Sequence, residues 1–127
     1  MEYGFSKTVS MSYERAIEKV TAELKKEEFG VLTTIDVQDT LKKKLDVDVE
    51  KYIILGACNP PFAYRALQAD EHIGLLLPCN VIVYERAGKT TVAIFDPMLM
   101  TTMIDNEKIK PIAREARQKL ERVLAAV

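Results

Sequence analysis

At 127 residues the chain is one domain long, and folding at that length buries roughly two-thirds of the surface, enough for a core without staples. Hydrophobic residues make up 48% and charged residues 29%, with five Gly and five Pro, which excludes a disordered, collagenous or low-complexity chain. Eighteen basic against nineteen acidic residues leave a net charge of -1, so the chain as a whole is not steered toward nucleic acid or anionic membrane. Two cysteines cannot build the disulfide framework of a small secreted domain. No charged-then-apolar leader opens the sequence, and the longest apolar run, Ile73 to Pro78, is too short to cross a bilayer. The expectation is a soluble, cytoplasmic domain over residues 1–127, with no nucleic-acid and no membrane partner.

Tyr3, Phe5, Lys7 and Val9 alternate with Gly4, Ser6 and Thr8, the period of a first strand. Ser12 offers an N-cap hydroxyl, and Tyr13, Ala16, Ile17, Val20 and Leu24 then recur at helical spacing until Phe29-Gly30. Val31 to Ile35 is short and β-branched, a second strand. Asp36 to Leu45 begins acidic and ends in Lys42, Lys43 and Lys44, matching the dipole of a short helix. Asp46, Asp48 and Glu50 follow at once, so the lysine run is a solvated face and not a nucleic-acid site.

Lys51 to Ala57 centres on Tyr52-Ile53-Ile54-Leu55, which predicts a strand buried on both faces. Asn59-Pro60 supplies an N-cap and a first-turn proline for a short helix from Pro60 to Ala69. Asp70 to Gly74 connects to a strand from Cys79 to Tyr84, which Pro78 introduces because proline cannot donate into a ladder. Arg86-Ala87-Gly88-Lys89 is a hairpin turn, and Thr90 to Phe95 returns beside the previous strand. Asp96-Pro97 caps a helical turn carrying Met98, Met100 and Met103. Ile109, Ile112, Ala113, Ala116, Leu120, Val123 and Leu124 then form one stripe of a long helix, with regular helix expected only from Pro111. Two long helices on one face of a sheet whose hairpin must be antiparallel give an α+β fold.

There is no phosphate-binding GxxxxGK[ST], no GxGxxG and, with one histidine, no HExxH zinc helix. His72 sits among Asp70 and Glu71 and reads as an exposed loop histidine before a general base, since no nucleophile is spaced to it. Asp96 reads as a cap. Met98, Met100 and Met103 have a thioether spacing that suits Cu(I), yet methionine is first a filler of irregular cores. Tyr52, Phe62, Tyr64 and Tyr84 read as core aromatics.

The cysteines are more specific. Gly56-Ala57-Cys58-Asn59-Pro60 and Leu77-Pro78-Cys79-Asn80-Val81 each place Cys-Asn at a strand end beside a proline. Cys58 precedes a helix N-terminus, where unpaired N–H groups favour a thiolate. In an antiparallel arrangement the strand ending at Ala57 finishes where the strand opening at Cys79 begins, so Cys58 and Cys79 are expected to lie close together.

The stretches Ile54-Leu55-Gly56-Ala57-Cys58-Asn59-Pro60-Pro61 and Gly74-Leu75-Leu76-Leu77-Pro78-Cys79-Asn80-Val81, with Val83-Tyr84-Glu85, Gly30-Val31-Leu32, Ile35-Asp36-Val37 and Asp96-Pro97, resemble the family catalogued as domain of unknown function 302. The resemblance covers nearly the whole chain. It implies a strand-helix-four-strand-helix plan, a curved antiparallel sheet of the TATA-binding-protein-like class, and a homodimer. It implies no activity or cofactor, and likeness to a DNA-binding class is no evidence of DNA binding.

Three functions follow from these residues. The first is a homodimeric binding module holding a small ligand, a soft metal ion or a sulfur species at Cys58, Asn59, Pro60, Cys79 and Asn80. The second is a structural or interaction protein with inert, buried cysteines. The third is a thiol-dependent redox enzyme with Cys58 as nucleophile and Cys79 as resolving partner, weakened by the lack of a CxxC pair or a spaced base.

Overall fold

The computed structural model describes residues 1–127. Five strands, β1 (Gly4–Val9), β2 (Gly30–Asp36), β3 (Tyr52–Cys58), β4 (Cys79–Arg86) and β5 (Lys89–Phe95), form one sheet in the order β1-β5-β4-β3-β2. Every neighbouring pair is antiparallel. The helices are α1 (Tyr13–Lys26), α2 (Val37–Leu45), α3 (Pro60–Ala69), the single turn α4 (Met100–Met103) and α5 (Ile109–Ala126). Short 3-10 turns occupy Glu71–Leu76 and Pro97–Leu99.

Local chemistry explains most of these boundaries. The Ser12 hydroxyl accepts from the Arg15 N–H at 3.1 Å and starts α1, while Asp36 accepts from Asp39 N–H at 2.9 Å and starts α2. Asp96 does the same for the turn after β5, through Met98 N–H at 2.9 Å. The β4–β5 hairpin turns through Ala87 and Gly88 at φ 51° and 78°, the left-handed pair that a two-residue hairpin requires. Helix α5 begins at Ile109, earlier than the expected start at Pro111. Pro111 is tolerated there because first-turn N–H groups have no helical acceptor, so its missing donor costs nothing.

The two long helices lie on one face of the sheet. Val20 and Leu24 of α1 and Leu120 and Val123 of α5 pack with Leu55, Val81, Val83, Val92 and Ile94 in a single buried cluster. A smaller cluster joins Ala66, Ile73, Met100, Ile109, Ile112 and Ala113 beneath α3. The expectation that β3 is buried on both faces is not met. Ile53, Leu55 and Ala57 pack with the main cluster, but Tyr52 and Ile54 belong to neither cluster. Side chains alternate along a strand, and both long helices cover the same side, so Tyr52 and Ile54 on the other side are only half-buried.

That helix-free face is apolar at its centre, with Ser6, Thr8, Thr33, Thr91 and Asn80 around it. It carries Ile54, Ile82, Ala93 and the cross-strand pair Tyr52–Tyr84, whose rings stack at 5.6 Å with 15° between planes. Toward the β2 edge, Leu32 is 69% exposed and Ile35 is 49% exposed. Helix α2 buries none of its residues, and Leu45, Val47 and Val49 beside it are exposed as well.

Candidate functional site

The two Cys-Asn segments meet at one end of the sheet, as antiparallel strands require. Cys58 closes β3, Cys79 opens β4, and the Leu77–Pro78 peptide between the segments is cis. The register, however, pairs Cys79 with Ala57 and Asn80 with Gly56. Paired residues share a face and successive ones oppose, so Cys58 is turned from the face that Ala57 and Cys79 share. The expected close cysteine pair is therefore absent: the strand ends are adjacent, the thiols do not face one another, and both are free. A one-position offset in register undoes the paired site.

Burial then decides what each thiol can do. Cys79 is 7% exposed, and desolvation, followed by the charge of Cys58, pushes its pKa up to about 12. Burial alone raises Cys58 above the ordinary thiol value. Burial thus works against the expected thiolate at the α3 N-terminus. Neither sulfur is an activated nucleophile at neutral pH.

Asn59 is occupied structurally. Its Oδ1 accepts from the Phe62 N–H at 3.3 Å, its Nδ2 donates to the Glu27 carbonyl at 3.5 Å, and the residue is 4% exposed. It thus starts α3 and ties it to the end of α1, while Pro60 takes the first helical position. Replacing Asn59 by Ala should cost about 1–2 kcal/mol, the cost of losing a cap, read as a lower urea midpoint. An unchanged midpoint would show that the cap contributes nothing. Around this corner lies a cavity of about 40 Å³ whose lining includes Phe29, Cys58, Phe62, Cys79, Met100 and Ile112. It is nearly all apolar.

Asn80 has a different setting. It is exposed on the helix-free face, and where Asn59 and Asn106 tie down backbone, the Asn80 amide bonds to nothing in the chain. It borders a hollow of about 230 Å³ lined also by Met1, Tyr3, Tyr52, Ile82 and Ala93. In the same row, Gly56 is kept bare by crowding: a Cβ there would meet the Thr33 hydroxyl and come within 2.8 Å of the Pro78 ring. Sequence reasoning grouped Asn80 with the cysteines and did not find this face. The alternation of Tyr52 and Ile54 with Ile82 and Tyr84 was the available signal, but it is indistinguishable from that of a doubly buried strand.

The remaining candidates fall out simply. His72 is exposed in the 3-10 turn, and Asp96 caps its turn while pairing with Arg117 at 3.5 Å. Met100 is buried and Met103 is exposed, so the three thioethers are not gathered in one core as expected, and Tyr64 is exposed too. Lys42 pairs with Asp46 at 3.0 Å and Asp48 at 3.2 Å, and Lys43 pairs with Asp39 at 2.9 Å, the solvated face read from the charge pattern. No three His, Cys, Asp or Glu residues are grouped to hold a metal, and no helix is long and apolar enough to cross a membrane.

Comparison with known proteins agrees with the fold and with the family resemblance. The family model described as domain of unknown function DUF302 matches residues 5–127. A crystal structure of an uncharacterised conserved DUF302 protein from Bacillus stearothermophilus superimposes with a TM-score of 0.91 at 30% identity, covering 99% of this chain and 98% of that one. No curated protein matches the chain. The α+β plan, with its open five-stranded antiparallel sheet, fits the TATA-binding-protein-like description. The match over nearly the whole sequence and the shared fold make the chain a member of the DUF302 family.

Proposed function

We propose that the protein is a homodimeric interaction module whose working surface is the helix-free face of the sheet, occupied by a second copy of the same chain. The observation that carries this reading is the apolar centre of that face: Tyr52, Ile54, Ile82 and Tyr84 are half-buried and lie outside both clusters, flanked by exposed Leu32 and Ile35. Five strands spaced about 4.8 Å apart and six to eight residues long cover roughly 500 Å² in projection. A stable dimer buries about 800 Å² of accessible surface per partner, an area this face approaches once its side-chain relief and the exposed residues beside α2 are included. A net charge of -1 adds almost no repulsion between copies.

A buried Cys79 and a half-buried Cys58, neither activated, support the interaction reading over the redox one, and a register that turns the two side chains to opposite faces speaks against a two-sulfur metal site. Sedimentation at micromolar concentration should give about 29 kDa, twice the 14.4 kDa chain mass. Ile82→Asp, at the centre of the face, should return the monomer mass while leaving the helical circular dichroism unchanged. A wild-type monomer, or a dimer that survives Ile82→Asp, would overturn the proposal.

A further inference from the structure

No further inference is drawn: the strongest candidate, the groove of about 370 Å³ between the outer edge of β1 and helix α5, has both its cations engaged within the chain, Lys7 with the Val127 carbonyl at 2.6 Å and Arg117 with Glu121 at 3.2 Å, and nothing in the structure shows what covers it.

Discussion

Replacing Leu120 by Ala is expected to destabilise the protein by about 2–5 kcal/mol, the range for emptying a well-packed core position. Leu120 is fully buried on α5, in the cluster that also holds Val20 and Leu24 of α1 and Val81, Val83 and Val92 of the sheet. Truncation removes the transfer free energy of three carbons and leaves a void bounded by a helix on one side and strands on the other. The strands cannot collapse into it without breaking their ladders, so the cost should lie toward the upper half of the range. For a chain of this size that is roughly a 10 °C fall in Tm or more. Thermal unfolding followed by circular dichroism measures it. A fall of under 2 °C would mean that α5 does not lock the helix layer to the sheet.

Stability should also fall in alkali, and Cys79 sets where the fall begins. Its ordinary thiol value of 9.0 is raised to about 12 by burial in the folded state. Below pH 9 both states hold the proton and the full stability is present. Between pH 9 and 12 the unfolded thiol has lost its proton while the folded one keeps it, so the unfolded state binds fewer protons and stability drops as pH rises. The slope is about 1.4 kcal/mol per pH unit for one group. Tyr13 adds a second contribution above pH 10, because burial first, then Asp36, Glu14 and Glu85, raises its phenol to about 12. Urea unfolding at intervals from pH 7 to 11 reads the whole curve. Cys79→Ala should flatten the segment from pH 9 to 10 whatever it does to the stability at pH 7. An unchanged slope in that variant would refute the assignment. The same shift implies that folded Cys79 carries about a thousandth of the thiolate of an unfolded thiol near neutral pH, so alkylation should wait for unfolding.

Much of the architecture was legible because its signals are local. The helical stripe Ile112-Ala116-Leu120-Val123, the Ser12 and Asn59 caps, the Pro60 start and the Ala87-Gly88 turn each depend on residues a few positions apart, and each stands where those residues put it. The hairpin made antiparallel pairing unavoidable for β4 and β5, and the remaining strands follow it. Helix α5 departs by two residues because a proline in the first turn offends nothing, a point that depends on which N–H groups have acceptors.

What the sequence determined by itself was therefore the set of elements, the family and the placing of two Cys-Asn segments at one sheet end. Only the tertiary structure decided the rest. Whether Cys58 and Cys79 share a face turns on a single residue of register, and register is a relation between strands separated by a helix and a 3-10 turn. Whether Tyr52 and Ile54 are core or half-buried surface turns on where α1 and α5 are laid, since an apolar strand looks the same in sequence with one covered face or two. Whether a thiol is reactive turns on its loss of water, which Cys79 suffers under the helix layer and no neighbouring residue in the chain announces. Local patterns specify elements because the forces that make them act within a turn or a pleat; the candidate site arose from contacts between residues far apart in the chain.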